Sequence, residues 1–338
     1  MREEFNYSLL AHNTFGIDAC CKHFVEYQSA EEAQAVARML ANEDCPFLIL
    51  GGGSNLLLTG DFEGTVIHSA IKGVEVVEET DSQVLVRVGS GETWDEFVDT
   101  CVCRGWYGAE NLSLIPGEVG ASAVQNVGAY GAEASSIIYK VEAVRLSDGL
   151  KEEIPAEACR YGYRQSRFKQ DWRNRYLITY VTYRLSKTFV PLLDYGNIRR
   201  ELEARGITEP TPRQLREVII DIRQQKLPDY HVEGNAGSFF VNPIIPKAQF
   251  EALQAQYPGM PHYHVSDNEE KIPAGWLIEQ CGWKGRTLGR VGVHARQALV
   301  LVNRGGAMGT EVVNLCNQIR HDVSSRFAID IHPEVNII

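Results

Sequence analysis

Apolar residues in the first fifty positions follow first a helical pattern and then a strand pattern. Between residues 33 and 40 they recur at the three- and four-residue spacing of one helix face. Ser29 followed by Glu32 is a capping-box signature, which marks the start of that helix. Residues 46–50 form a short apolar run that leads directly into glycines. The pattern predicts a strand, a helix, a second strand and a glycine-rich loop, in that order.

Three later segments predict helices. Thr93 with Glu96 is a second capping-box signature, ahead of apolar residues at helical spacing. Thr211 precedes a proline, which predicts that a helix begins at that proline. Proline is tolerated at the first helical position because an N–H there would have no acceptor within the helix. The spacing of apolar residues over 312–327 predicts a long amphipathic helix near the end of the chain.

The middle of the chain has strand patterns. Residues 141–146 and 151–154 flank Ser147-Asp148-Gly149, a turn signal that predicts a hairpin. Residues 176–185 are rich in β-branched and aromatic side chains and predict a longer strand. Since strands and helices do not alternate regularly, the predicted fold class is α+β. The length of 338 residues suggests about two domains, with a plausible boundary near Lys226-Leu227-Pro228.

Charge and cysteine usage narrow the function. The formal net charge is −11, with 44 acidic against 33 basic side chains, so nucleic acid is not expected as a partner. An anionic small molecule can still bind where positive charge is gathered locally. The eight cysteines have no metal-ligand spacing, so we expect free thiols in a reducing cytoplasm and no metal. The first residues have no apolar leader region, and no stretch has membrane-spanning length, so we expect no membrane insertion.

Two glycine-rich stretches are candidates for cofactor binding. Gly51-Gly52-Gly53-Ser54-Asn55 follows a predicted strand but has neither the Walker nor the dinucleotide-fingerprint spacing. The second stretch runs from Pro116 to Gly131 and is rich in glycine, alanine and serine. An ordinary turn and a tight helix–sheet contact are the structural alternatives. Two such loops together suggest a large cofactor that is held at two places.

Three further segments contain candidate catalytic groups. Residues 159–169 hold four positive charges, which form either a solvated basic face or a clamp for a carboxylate. Ser238 lies between small residues and two phenylalanines, where a turn serine is the alternative. Glu334 follows a proline near the end of the chain, where a carboxylate is usually solvated.

Together these segments resemble the UDP-N-acetylenolpyruvoylglucosamine reductase family (MurB), whose members act in peptidoglycan precursor synthesis and so in cell-wall biogenesis and cell division. The resemblance covers nearly the whole chain in the family's order, so chance agreement is negligible. The matching motifs are Asn13-Thr14-Phe15-Gly16, Leu50-Gly51-Gly52-Gly53-Ser54-Asn55, Ile115-Pro116-Gly117, Gln125-Asn126-Val127-Gly128-Ala129-Tyr130-Gly131, Tyr161-Gly162-Tyr163-Arg164, Gly234-Asn235-Ala236-Gly237-Ser238-Phe239-Phe240, Ala274-Gly275-Trp276-Leu277-Ile278, His294-Ala295-Arg296-Gln297-Ala298-Leu299-Val300 and Pro333-Glu334-Val335.

The resemblance implies an FAD-binding fold of the vanillyl-alcohol-oxidase type with a C-terminal substrate-binding domain. We expect FAD-binding subdomain 1 at 1–70, completed by 326–338, subdomain 2 at 71–225 and the substrate domain at 226–325. The implied enzyme is UDP-N-acetylmuramate dehydrogenase, in which NADPH reduces FAD and reduced FAD reduces UDP-N-acetylglucosamine enolpyruvate to UDP-N-acetylmuramate. We expect it to act as a monomer in the cytoplasm.

The resemblance also assigns roles to single residues. Arg164 and Glu334 are expected to stabilise the enolate, and Ser238 to protonate it. The expected FAD contacts are Gly51, Gly52, Gly53, Ser54, Asn55, Pro116, Gly117, Gly120, Ala121, Ser122, Gln125, Asn126, Gly128, Tyr130 and Gly131. The expected substrate contacts are Tyr195, Arg223, Lys226, Asn242, Tyr263, Lys271 and Gln297, with Tyr195 and the segment around Tyr263 resembling the type I branch. The chain departs from many members at Asn336, where they carry arginine.

Two alternatives stay open at this point. One is an alcohol oxidase or dehydrogenase of the same flavin fold, although no segment presents an evident residue for covalent flavin attachment. The other is a non-enzymatic sensor of nucleotide sugars that has kept the fold.

Overall fold

The computed structural model describes residues 1–42 and 45–338. In that part of the chain the helices are α1 Ala30–Ala41, α2 Trp94–Arg104, α3 Val119–Gln125, α4 Ile198–Ala204, α5 Pro212–Lys226, α6 Lys247–Gln256, α7 Ala274–Gln280 and α8 Gly309–Phe327. The strands are β1 Arg2–Ser8, β2 Cys20–Tyr27, β3 Phe47–Leu50, β4 Leu56–Leu57, β5 Phe62–Ser69, β6 Val74–Glu79, β7 Gln83–Gly89, β8 Gly128–Ala129, β9 Ala132–Glu133, β10 Ile138–Arg145, β11 Lys151–Pro155, β12 Tyr176–Ser186, β13 Ile244–Pro246, β14 Tyr263–Ser266, β15 Glu269–Lys271, β16 Thr287–Leu288, β17 Val291–Val293, β18 Leu301–Asn303 and β19 Asn336–Ile337.

The chain divides into two compact units, each built from separate stretches of sequence. The first unit contains residues 1–7, 21–52 and 63–223, and the second contains residues 8–20, 53–62 and 224–338. The three-part division that the family resemblance implies, with bounds at 70, 225 and 325, stays a prediction.

The first unit contains two sheets with α1 packed against both. One sheet has the strand order β1-β2-β5-β3, and its β3 and β5 are parallel. The predicted apolar face of α1 is buried in a cluster with residues of this sheet and with Val144 and Leu177 of the other sheet. Helical spacing of apolar residues thus correctly identified the buried side of α1.

The other sheet of the first unit is antiparallel throughout, in the order β11-β10-β12-β7-β6. The predicted hairpin is confirmed, with β10 paired to β11 from Lys140 opposite Pro155 to Val144 opposite Lys151. Helix α2 covers the sheet with Trp94, which is fully buried. A side chain of this size contributes about 2–3 kcal/mol by leaving water.

The capping predictions have different outcomes. Ser29 Oγ accepts from the Glu32 N–H at 3.1 Å, as predicted for the start of α1. At α5, Thr211 Oγ1 accepts from the Gln214 N–H at 3.3 Å, and the helix begins at the proline as predicted. The capping box at Thr93 is wrong, because its side chain makes no capping hydrogen bond. There the first helical N–H, from the next residue, donates instead to a backbone carbonyl at position 117.

The second unit contains small sheets and the long helix α8. Strands β13-β15-β14 and β16-β17-β18 form two antiparallel sheets, and β4 pairs in parallel with β19 at the end of the chain. The predicted amphipathic helix is confirmed as α8. Its buried positions include Val312, Leu315, Ile319, Val323 and Phe327.

Candidate active site

The first glycine stretch lies at the carboxyl end of a pair of parallel strands. Leu50, the last residue of β3, is the register partner of His68 near the end of β5. Gly51 follows directly, so the glycine loop emerges at the edge where both strands end. In open sheets with parallel strands, ligands bind in the crevice outside these carboxyl ends.

The two glycine-rich stretches meet in the first unit. A Cβ added to Gly52 would lie 3.0 Å from the Gly117 Cα, and one added to Gly51 would lie 3.3 Å from the Ala121 Cβ. A Cβ at Gly120 would lie 2.9 Å from the Ser90 Cβ. These glycines therefore allow close backbone packing. This agrees with the tight helix–sheet contact that was the alternative explanation for the second stretch. The same packing brings both candidate cofactor loops to one place.

The end of the first glycine loop belongs to the second unit. Gly53 has a φ of +60°, and a Cβ there would lie 2.0 Å from the His12 carbonyl oxygen, so only glycine fits. The Asn55 carbonyl accepts hydrogen bonds from both the backbone N–H and the Nδ2 of Asn336, each at 3.1 Å. Asn336, where many family members carry arginine, thus fixes the backbone at the end of this loop.

Helix α3, within the second stretch, has its serine hydroxyl occupied by the protein. Ser122 Oγ donates to the Val119 carbonyl at 2.7 Å and shares a second hydrogen bond of 2.7 Å with the Tyr183 hydroxyl. Ser122 is buried, so its side chain positions α3 on β12. Gln125 is the last residue of α3 and is partly exposed.

Arg164 is anchored to the second glycine stretch. Its Nη2 donates to the Gly128 carbonyl at 2.5 Å, and its own carbonyl accepts from Lys169 Nζ at 2.9 Å. Two residues earlier in each segment, Asn126 Nδ2 donates to the Gly162 carbonyl at 2.9 Å. Arg164 has a φ of +55°, a conformation that is uncommon for a non-glycine residue and concentrates at functional sites.

A second arginine and two tyrosines accompany this segment in the first unit. The rings of Tyr130 and Tyr195 form an edge-to-face pair at 6.5 Å, and a Cβ on Gly131 would lie 3.3 Å from the Tyr195 Cβ. Burial lowers the pKa of Arg223; Tyr130 and Asp95 partly offset this, and repulsion from Arg164 adds a smaller lowering contribution. The Arg223 Nε is buried and has no acceptor among the described residues. Two neighbouring guanidinium groups, one with a buried donor to spare, suit an anionic ligand.

The segments that carry Ser238 and Glu334 are joined by backbone contacts in the second unit. The Glu334 N–H donates to the Phe239 carbonyl at 2.8 Å, and Phe240 forms a β-bridge with Pro333. Both phenylalanines are buried, whereas Ser238 between them and Gly237 is exposed. The buried rings thus anchor the segment while the hydroxyl is left accessible.

Tyr263 and Lys271, two predicted substrate contacts, face each other across a strand pair. They are register partners on β14 and β15, with Lys271 Nζ 5.9 Å from the Tyr263 ring centroid. The flanking His262 and His264 place their Nδ1 atoms 3.0 and 3.3 Å from the two carboxyl oxygens of Glu270. Since neighbouring residues on a strand point to opposite faces, this cluster fixes the face on which Tyr263 is exposed.

The remaining predicted substrate contacts also lie in the second unit. Asn242 Oδ1 accepts from the Ala274 N–H at 2.9 Å and so positions the start of α7. Gln297 Oε1 accepts from the Leu299 N–H at 3.3 Å. Lys226 is the last residue of α5 and is exposed. The predicted set is therefore distributed over both units, with Arg164 in the first and Ser238 beside Glu334 in the second.

One polar cluster at the glycine loop was missed by the sequence analysis. His68 places Nδ1 3.0 Å from Glu26 Oε2 and Nε2 2.9 Å from Glu118 Oε1. Burial alone lowers the pKa of His68, but the hydrogen bonds to Glu118 and Glu26 outweigh it, so that the pKa is raised. A polar residue inside the apolar run of β5 is the only signal in the sequence that points to it.

Comparison with known families first defines the class of protein. A family model described as an FAD binding domain matches residues 21–153, which include the first glycine loop and the whole of the second stretch. A model described as the C-terminal domain of UDP-N-acetylenolpyruvoylglucosamine reductase matches residues 228–338, which include Ser238 and Glu334. The chain is therefore an FAD-binding flavoprotein.

Comparison with individual proteins then identifies the family. The UDP-N-acetylenolpyruvoylglucosamine reductase of Bacteroides fragilis YCH46 is 55% identical over 336 residues, which cover 99% of this chain and 100% of that protein. The enzyme of the same name from Burkholderia multivorans is 47% identical, with 97% of this chain and 95% of that protein covered. This chain belongs to the UDP-N-acetylenolpyruvoylglucosamine reductase family.

The crystal structure of UDP-N-acetylenolpyruvylglucosamine reductase (MurB) from Thermus caldophilus has the same fold. It matches with a TM-score of 0.67 at 22% identity, covering 99% of this chain and 98% of that chain. These findings confirm the family resemblance and the predicted fold class. They also confirm an FAD-containing oxidoreductase that uses NADPH, and they favour neither the alcohol oxidase nor the sensor. In the described part of the chain, no helix is both long and apolar enough to span a bilayer.

Proposed function

We propose that this protein reduces UDP-N-acetylglucosamine enolpyruvate to UDP-N-acetylmuramate, with NADPH as the reductant and Arg164, Ser238 and Glu334 as the catalytic residues. The observation that carries the residue assignment is the hydrogen bond from the Glu334 N–H to the Phe239 carbonyl. This bond joins the backbone of Glu334 to the residue that follows Ser238, although 96 positions separate Ser238 and Glu334 in the sequence, and it supports a shared role for the two side chains. Both belong to the segment that matches the reductase C-terminal domain.

The residues of the first unit fit FAD. The loop that begins at Gly51 lies at the carboxyl ends of β3 and β5, and the loop at Gly117 packs against it without intervening side chains. Backbone N–H groups in such loops can approach a diphosphate closely. When bound, FAD supplies the hydride that reduces the enolpyruvyl double bond.

Arg164 is suited to stabilise the charge that develops on the substrate. Addition of hydride to the terminal carbon leaves negative charge on the adjacent carbon and its carboxylate. Since Arg164 is already held by Gly128, it needs little reorganisation to meet that charge. A preorganised donor of this kind is worth about 3 kcal/mol in comparable sites. Glu334 would act as its partner carboxyl.

Ser238 is the proposed proton donor to the enolate carbon. A serine hydroxyl is a weak acid in water, so it is an effective donor only next to a strong base such as an enolate. Its exposure between Gly237 and the buried Phe239 leaves the hydroxyl accessible to substrate. Proton transfer by a positioned group contributes roughly 10²–10⁴ in rate.

The anionic groups of the substrate require cations. Arg223 has a buried Nε without an acceptor among the described residues, and the nearby Arg164 disfavours its charged form further. A bound anion would relieve both costs. We propose that Arg223 and Lys226 hold the diphosphate, and that Tyr195, Asn242, Tyr263, Lys271 and Gln297 complete the binding of the nucleotide sugar.

The assignment of Ser238 is tested by Ser238→Ala in an anaerobic single-turnover experiment. We expect NADPH to reduce the bound flavin at the wild-type rate and the enolpyruvyl substrate to reoxidise it roughly 10²–10⁴ times more slowly. Ser325→Ala, at an exposed position of α8 in the same unit, is the matched control and should behave as the wild type. Reoxidation of Ser238→Ala at the wild-type rate would show that another group donates the proton.

We further propose that the enzyme is a cytoplasmic monomer with the three-part domain division given by the family resemblance. All eight cysteines are free thiols, which agrees with a reducing compartment. Light scattering measures the mass directly, and twice 37.8 kDa would refute the monomer. Cell fractionation with an antibody against the protein tests the location.

A further inference from the structure

His68 connects the interior of the first unit with the glycine loop. It lies near the end of β5, opposite the last residue of β3, and the loop begins one residue later at Gly51. Its two ring nitrogens contact carboxyl oxygens on different elements, Glu26 on β2 at 3.0 Å and Glu118 just before α3 at 2.9 Å. All three side chains are largely buried. Nothing in the proposed reaction uses this group.

Glu118 is in turn packed against the loop. A Cβ added to Gly51 would lie 3.4 Å from Glu118 Oε2, the carboxyl oxygen that His68 does not contact, and one added to Gly52 would lie 3.7 Å from its Cγ. Glu118 also directly follows Gly117, whose Cα lies against Gly52. The position of this carboxylate and the shape of the loop therefore depend on each other.

The charges at this place favour a protonated His68. The acidic groups that face it are Glu26 and Glu118, and the Nη1 of Arg2 on β1 lies 3.9 Å from the Glu26 oxygen that His68 does not contact. The ring of Phe24 on β2 is stacked 6.2 Å away and has no charge. The phenol of Tyr27, also on β2, is neutral because burial raises its pKa. The cluster of one histidine and two glutamates has a net charge of about −1 with imidazolium and about −2 without it.

We propose that His68 is a positioning residue for the FAD loop, whose imidazolium holds Glu118 against Gly51 and Gly52 and offsets carboxylate charge beside the bound diphosphate. FAD affinity then falls as His68 loses its proton. This inference rests on the proposed binding of FAD at Gly51–Asn55.

The direction of the pH effect follows from the contacts. Since the hydrogen bonds to Glu118 and Glu26 raise the pKa of His68 above its ordinary value, the imidazolium persists to higher pH than in a free histidine and is lost as pH rises through that pKa. The diphosphate of FAD stays fully ionised through this titration. One additional negative charge in a partly solvated site weakens anion binding on the order of three- to tenfold.

The test measures FAD binding to the apo-protein, by the quenching of flavin fluorescence, between about pH 6 and pH 9. The dissociation constant of the wild type should rise roughly three- to tenfold across this range. His68→Asn should abolish that rise, whereas His321→Asn, an exposed histidine on α8, should keep it. Glu118→Gln should move the midpoint of the rise to lower pH, because a carboxylate that stabilises the imidazolium has been removed.

Three outcomes separate the possibilities. The same pH dependence in His68→Asn as in the wild type overturns the role of His68. An unchanged midpoint in Glu118→Gln overturns the coupling through Glu118, and this variant decides the matter if His68→Asn does not fold, as judged by thermal melting of the apo-protein. Failure of the wild type to bind FAD at any pH would instead refute the proposed function.

Discussion

Replacement of Gly52 by alanine perturbs the contact between the two cofactor loops. The added Cβ would lie 3.0 Å from the Gly117 Cα, whereas ordinary van der Waals contact begins at 3.4 Å. The atoms nearest to the added Cβ belong to the backbone of Gly117, so no flexible side chain can move away. The two loops must therefore separate by a few tenths of an ångström. Gly52 does not have a positive φ, so the cost comes from overpacking alone, at about 1–3 kcal/mol. At about 3 °C per kcal/mol, the melting temperature should fall by roughly 3–9 °C.

The same displacement should weaken FAD binding by on the order of tenfold, because backbone donors that are displaced by a few tenths of an ångström lose part of their hydrogen bonds. Differential scanning calorimetry of the apo-protein and fluorescence titration with FAD measure the two effects separately. Gly60→Ala is the matched control, since a Cβ there meets nothing within 4 Å and its φ is not positive. If Gly52→Ala had the melting temperature and FAD affinity of Gly60→Ala, the close approach of the two loops would be refuted.

Two further predictions concern polar clusters away from the glycine loops. Arg216→Met should destabilise the protein to urea by about 2–3 kcal/mol, because Arg216 is buried and its Nη1 and Nη2 bond Asp95 at 2.7 and 3.0 Å. Asp99→Asn should cost under about 1 kcal/mol, because Asp99 is 46% exposed and bonds the same arginine at 3.1 Å; an equal loss for both variants would refute this ranking. Hydrogen bonds from His262 and His264 lower the pKa of Glu270, so protection of the β14 and β15 amides should be lost as pH falls through that pKa. Hydrogen exchange in wild type and Glu270→Gln measures this, and an identical acid response in both would refute it.

The elements of the fold were predictable where the pattern is local. Three predictions depend on residues only a few positions apart, and all three are confirmed: the buried face of α1, the hairpin at residues 147–149 and the apolar face of α8. The cap at Thr93 was not predictable in the same way. Its backbone forms a bridge with Glu118, which lies 25 residues further along the chain, and that long-range contact replaces the side-chain cap. Capping signatures assume that no distant segment competes for the first turn.

The candidate site was likewise predictable from the sequence only in part. Composition drew attention to the glycine stretches and to the basic segment around Arg164, but the roles of single residues came from the family resemblance. Pattern alone could not bring the segment of Ser238 beside that of Glu334, because a carboxylate near a chain end is usually solvated. Nor could it join Glu26, His68 and Glu118, which three separate elements contribute. Long-range pairing of polar groups has no periodic signal in the sequence.

Unfavourable conformations concentrate in one part of the first unit, and this concentration supports a ligand site there. Of the eight described non-glycine residues with positive φ, five lie between positions 114 and 164, including Asn126, Tyr130 and Arg164. Each costs on the order of 1 kcal/mol, and Arg223 adds a buried donor without an acceptor among the described residues. Hydrogen bonds such as that of Arg164 to Gly128 hold these conformations in place. In a fold under no functional constraint, substitution would replace such unfavourable residues. An anion bound between Arg164 and Arg223 would offset their cost.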